Sequence, residues 1–175
     1  MKVKNWLILI LASILLVACS NEEETTKQGE TEDIKELVHT YSVEDIEDET
    51  ASITSKELIV TSEDETETVY PLPEDEFFVS IAPFINETHP CKDHSLTGCQ
   101  GELVQESFDV TIEDETGNIV LEDTIQTEKN GFFDLWLPRD QTYNIKMEHD
   151  GKNVDAAFST FEEDGTCITT MQLTE

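Results

Sequence analysis

Two cysteines and two histidines fall within eleven residues: His89, Cys91, His94 and Cys99. They are all the cysteines and histidines between His39 and His149, so the clustering calls for a chemical reason. Thiolate and imidazole are soft to borderline ligands, suited to Cu(I), Cu(II) or Zn(II) and poorly suited to Ca(II) or Mg(II). Pro90 and Gly98 bend the backbone beside both cysteines, as a loop gathering ligands around one ion requires. Zinc motifs fit badly, because there is no C-x2-C pair and Cys91 to Cys99 is wider than a zinc knuckle. The spacing Cys91-x2-His94-x4-Cys99 has the outline of a blue-copper loop. That fold places its loop near the last strand, whereas this one precedes most of the strands, and the blue-copper reading is set aside.

A third thiol lies far away in sequence. Cys167, Thr169, Met171 and Leu173 share one face of a terminal strand, since side chains alternate with period two. Met171 and Leu173 mark that face as inward, which puts Cys167 at one rim of the core. A disulfide is the competing account, because paired cysteines in exported proteins usually oxidise. Cys91 with Cys99 would close a short loop. With Cys19 set aside, however, three cysteines leave one thiol over, a count that suits a reactive or metal-binding group. Both accounts stand at this point, and the two histidines favour the metal.

The elements that must position these residues emerge from periodicity. Ile34, Leu37, Val38 and Tyr41 recur at helical spacing, and Asp33 with Glu36 makes a capping box. His39 falls on the polar face of this helix and is expected at the surface. Ser42 is placed to cap a second short helix through Ile46. Leu58–Val60 and Val69–Tyr70, joined by an acidic turn, predict a hairpin. The apolar stretch from Leu72 through Phe77, Phe78, Val79, Ile81 and Phe84 to Ile85, broken by Pro71, Pro73 and Pro83, should pack the helical part against the C-terminal strands. From Phe108 the pattern turns to period two, with turns at Thr116-Gly117-Asn118, Asn130-Gly131, Pro138-Arg139-Asp140 and Asp150-Gly151. Six short strands result, the signature of an antiparallel β-sandwich. The predicted class is α+β, a small helical N-terminal subdomain packed on a mainly antiparallel β-sandwich. The boundaries are 33–107 for the helical subdomain with its hairpin and ligand loop, and 108–175 for the sandwich.

Residues 1–18 read as an export signal. Lys2 and Lys4 precede an apolar run from Trp6 to Val17, too short for a permanent span of roughly 20 residues. Leu16-Val17-Ala18-Cys19 resembles the lipobox of bacterial lipoproteins, which implies that Cys19 becomes a diacylglyceryl cysteine at the new N-terminus. Two acyl chains give stable anchoring, so the expected place is the outer face of the cell membrane or the periplasm. Residues 19–32 lack apolar anchors and read as a flexible acidic tether. The chain carries 40 acidic and 10 basic residues, a net charge of −30, which repels phosphate backbones and argues against nucleic acid as a partner. No D-x-D-x-D-G calcium loop, Gly-rich phosphate loop or hydrolase triad context occurs.

Several separated stretches together resemble the CueP family of bacterial copper-binding proteins. They are Phe77–Phe84, His89-Pro90-Cys91 through Cys99-Gln100-Gly101-Glu102-Leu103, Gly131-Phe132 with Trp136-Leu137-Pro138-Arg139-Asp140, and Thr160-Phe161 before Cys167-Ile168-Thr169-Thr170. The resemblance implies copper resistance, or copper storage and delivery, with Cys91, Cys99 and Cys167 as the key residues. The expectation is then a Cu(I)-sequestering lipoprotein, with His89 and His94 as secondary metal donors and zinc the less favoured metal. A copper-acceptor protein and a homodimer remain open as partners. The runner-up is a dithiol protein that reduces Cu(II) to Cu(I), and a third reading is a disulfide-stapled surface binding module without metal.

Overall fold

The computed structural model describes residues 22–175. The expected export signal at 1–18 and Cys19 lie outside them. The described chain is one helix followed by eleven strands: α1 (Glu22–Val43), β1 (Glu49–Ile53), β2 (Glu57–Ser62), β3 (Glu67–Pro71), β4 (Glu76–Phe84), β5 (His94–Ser95), β6 (Ser107–Asp114), β7 (Ile119–Gln126), β8 (Phe133–Pro138), β9 (Thr142–His149), β10 (Lys152–Ser159) and β11 (Cys167–Gln172). This is the α+β sandwich expected from the periodicities. Three sheets carry the strand orders β3-β2-β1-β5, β10-β9-β6-β7 and β11-β4-β8.

The hairpin at Leu58 to Tyr70 forms as β2 and β3, with Leu58 opposite Tyr70 and Val60 opposite Thr68. All six strands read from the period-two pattern form, β6 through β11. The N-terminal part holds more sheet than its helical reading suggests. Its one helix packs on a four-stranded sheet, because β1 is a five-residue strand with only Ala51 and Ile53 buried, too short to announce itself. No second helix comes after α1 among the described residues. Ser42 is buried and its hydroxyl donates to Asp134 (2.5 Å), so it serves a tertiary bond and not a cap. Helix α1 begins at Glu22, eleven residues before the capping box at Asp33. The added segment falls within the expected tether at 19–32, and it has no proline to stop a helix. His39 is exposed, as its helical position requires.

Strand β4 explains why its sequence reads as an unbroken apolar run. It is central in its sheet, with β11 on one side and β8 on the other, and eight of its nine residues are buried. A strand covered on both faces loses the polar alternation. Phe77, Val79 and Ile81 enter the core shared with β6 and β9 (Phe108, Val110, Ile112, Ile145, Met147). Phe78 points the other way, into the core of α1 and the first sheet with Val38, Ile53 and Leu58. Ala82, near the strand's end, joins a third, small cluster with Phe132 and Cys167, against which Cys91 and Cys99 pack.

Candidate metal centre

The segment between β4 and β6 carries the loop cysteines and is stitched down along its length. At its start the Glu102 carboxylate accepts from the backbone N–H of Ile85 (2.6 Å), Asn86 (2.9 Å) and Glu87 (3.3 Å), and from the Asn86 side chain (2.8 Å). Partial burial works against this charge, yet the bonds from Asn86, Ile85 and Glu87 outweigh it and hold the carboxyl down to about 2. Thr88 donates to the Thr169 carbonyl on β11 (2.8 Å). Further on, β5 pairs with β1, His94 opposite Ile53. At the far end the Gly101 N–H donates to the Asn130 carbonyl (2.6 Å). A Cβ on Gly101 would meet the Gly131 carbonyl oxygen at 2.5 Å, and Gly131 has φ of 79°, so this crossing of two backbones needs glycine on both sides.

Strand β11 meets this loop at its first residue. Its pairing with β4 is parallel, with Cys167 opposite Ser80. The Cys167 N–H donates to the Lys92 carbonyl (3.0 Å), and the His94 N–H donates to Thr166 Oγ1 (2.9 Å). Thr166 in turn donates to the Ile53 carbonyl (2.6 Å). Cys167, Thr169, Met171 and Leu173 are all buried, the face that the alternation predicts. Cys91 and Cys167 are joined as a disulfide across 76 residues of sequence, and Cys99 is free, its Sγ 3.7 Å from that of Cys91. One bridge and one spare thiol is the count read from the sequence, although the partner of Cys91 is Cys167 and not Cys99.

The donor atoms of His89, Cys91, Cys99 and Cys167 all lie within 4.8 Å of one another. Two elements distant in sequence are therefore brought to one point, with three sulfurs and one imidazole. With the bridge reduced, that set offers the soft donors that suit a Cu(I)-like ion and suits hard cations poorly. His94 is not in this group. It is fully buried, its ring 4.5 Å from that of Phe132, and Phe132 lies 6.3 Å from the His89 ring on its other contact. Burial, and secondarily the neighbouring His89, push the His94 imidazole down to about 4, so it is neutral.

Sequence reasoning passed over the polar chain behind His94. Ser80 Oγ donates to Asp134 Oδ1 (2.6 Å), so the hydroxyl is left as acceptor for His94 Nε2–H at 3.2 Å. Asp134 keeps some surface as a residue, but its carboxylate is enclosed, and that burial raises its pKa against the Ser42 and Ser80 hydrogen bonds. His94 Nδ1 is left buried without a partner, as an imidazole with its proton on Nε2 would leave it. The signal was available: Ser80 interrupts an apolar run in β4, and Asp134 interrupts another in β8.

An α+β sandwich that gathers three sulfurs and an imidazole at the meeting of a loop and a buried strand defines a thiol-rich candidate site for a soft metal ion. The chain belongs to the CueP family, whose model, described as periplasmic copper-binding protein CueP, matches residues 32–172. Among solved structures, one titled "Crystal Structure of S.CueP" is 33% identical with a TM-score of 0.76, over 89% of this chain and 99% of that one. Comparison with curated proteins gives no match. The family is periplasmic by its description. Among the described residues no helix is long and apolar enough to cross a membrane.

Proposed function

We propose that the chain binds copper as Cu(I) outside the cytoplasm through Cys91, Cys99 and Cys167, serving copper resistance and copper delivery. The observation that carries this reading is the convergence of the three sulfurs and His89 within 4.8 Å. Family membership supplies copper as the metal. Three thiolates outcompete water and amines for Cu(I), and a sulfur-rich site damps its redox cycling. His89 is the imidazole donor of the group, and His94, outside it, acts only through packing. The lipid expected on Cys19 holds the domain at the outer membrane face.

The reduced chain is expected to take one Cu(I) from a weak competing chelator. Cys91→Ser, Cys99→Ser and Cys167→Ser should each cut the affinity heavily, and His94→Ala should cut it less. Cys167→Ser is the sharpest test, because only the fold brings this residue to the loop. Unchanged Cu(I) affinity in a folded Cys167→Ser chain would refute the three-thiolate site. Replacing Cys19 with Ser should release the protein from the membrane fraction, and unchanged detergent partitioning would refute the anchor.

The Cys91–Cys167 bridge favours a second reading, reduction of Cu(II) by the thiols. Two Cu(II) and two thiols would give two Cu(I), one disulfide and two protons. Anaerobic titration of the reduced chain with Cu(II) should then form two Cu(I) per bridge closed. No Cu(I) would exclude it. Thiol counts that ignore copper altogether would favour the disulfide-stapled binding module.

A further inference from the structure

Cys91 is the shared neighbour of two other sulfurs. It is bonded to Cys167, and the free Cys99 thiol stands 3.7 Å away from it. We infer that the oxidised site performs an intramolecular thiol–disulfide exchange, in which Cys99 is the resident nucleophile and the bridge moves between Cys91–Cys167 and Cys91–Cys99. The Cys99 thiolate attacks Cys91 Sγ, a new S–S bond forms, and the bond to Cys167 breaks with its electron pair on Cys167 Sγ. Cys167 then takes up the proton that Cys99 gave away. One bridge and one thiol exist before and after, so no oxidant, reductant or metal takes part.

Displacement at sulfur runs along the axis of the bond being broken. All the donor atoms lie within 4.8 Å of one another, which places Cys99 beside the bridge and not on its axis. Reaching that axis requires Cys99 to turn about its Cα–Cβ bond. The turn is open to it: the side chain is half-buried, while its backbone N–H is held by the Ser95 carbonyl at 3.0 Å. The side chain can move without the loop. Gly98, just before it, lies on the exposed side of the turn.

The exchange changes what solvent can reach. Cys167 is 5% exposed, while Cys91 and Cys99 are half-buried on the loop. In the bridge to Cys167 one sulfur is shielded by the sheet. After exchange both bridged sulfurs belong to the loop, where a small external thiol can attack, and the buried strand position carries the free thiol. Cys99 thus gives a buried cysteine a route for electrons from the surface. This activity is independent of the copper reading, and its test contains no metal.

The oxidised, metal-free full-length chain in detergent is equilibrated, then unfolded in acid to stop exchange, and its free thiol is trapped with N-ethylmaleimide. Peptide mass spectrometry reads which cysteine carries the label. The expected result is label divided between Cys99 and Cys167, in a ratio unchanged by tenfold dilution. Label on Cys99 alone, at every time sampled, overturns the exchange. Label on Cys91 overturns its assignment as the shared sulfur, and a ratio that changes with dilution shows exchange between chains instead. A second measurement uses Cys167→Ser, checked for folding by circular dichroism. Oxidation should close Cys91–Cys99 in this variant, and a folded chain that keeps two free thiols also overturns the proposal.

Discussion

Reducing the Cys91–Cys167 bridge in the metal-free protein removes the longest-range covalent constraint in the described chain. The bridge spans 76 residues of sequence. Closing a loop of that length restricts the unfolded ensemble by about 4.5 kcal/mol in the chain-entropy model. For a domain of this size each kcal/mol moves the midpoint by about 2–4 °C, so reduction should lower the melting temperature by roughly 9–18 °C. A bridge moved to Cys91–Cys99, at a separation of 8, would retain only about 2.6 kcal/mol of that constraint. The oxidised chain should therefore resist unfolding best while the bridge reaches β11. The assay is urea unfolding of the oxidised and reduced chains without metal, then of the reduced chain with a stoichiometric excess of buffered Cu(I). The metal should restore stability by mass action, about 4 kcal/mol at a thousand times the dissociation constant. If oxidised and reduced metal-free chains differ by less than about 1 kcal/mol, the reasoning from loop length is refuted.

A Cβ at Gly165 would come within 2.6 Å of the Lys92 carbonyl that accepts from Cys167, so Gly165→Ala should cost about 1–3 kcal/mol and slow closure of the Cys91–Cys167 bridge, read by urea unfolding and thiol trapping. Glu102→Gln should cost about 1–3 kcal/mol at neutral pH by weakening three backbone hydrogen bonds. The folded Glu102 carboxyl lies near 2, below its ordinary value, so its stabilisation is present above about 4.5 and lost as the pH falls through 2; the gap between wild type and variant should close over that window, and a pH-independent gap would refute it. His94 should stay neutral with its proton on Nε2 down to about pH 4, as seen by nitrogen NMR of the metal-free chain. Its unfolded form binds a proton near 6.5, so stability should fall as the pH drops from 6.5 to 4.

The sequence disclosed those features that depend on local alternation. Strands β6 to β11 and the inward face of Cys167 come from period two, and the turns between them from Gly and Asp at positions such as Gly117, Gly151 and Asp140, which adopt positive φ. It disclosed less where tertiary context decides. Strand β1 is short and shows itself only once β2 and β5 pair with it. Ser42 has the chemistry of a helix cap, and only its distance to Asp134, 92 residues away, shows its other use. The site was legible as a set of donor types. Which cysteine Cys91 joins was not, because Cys99 and Cys167 both lie beside it and the choice depends on the parallel register of β11 on β4. The fate of His94 was hidden for the same reason: one residue step in a loop decides between the metal group and the interior.

The parallel pairing of β11 with β4 has a consequence for the order in which the protein takes shape. Every other sheet partnership in the described chain is antiparallel and most join near neighbours, such as β2 with β3 or β9 with β10. The pairing of β11 alone spans from the middle of the chain to its last strand. Long-range pairings of this kind form late, after the loop-closure entropy has been met by local structure. A chain delivered from its N-terminus across a membrane will expose Cys91 and Cys99 well before Cys167 emerges. Of the three sulfurs of the site, the two on the loop come first in that order, and the third joins them only when the sandwich is finished. Completion of the fold, and not the loop's own chemistry, is the event that turns a pair of neighbouring thiols into a three-sulfur centre.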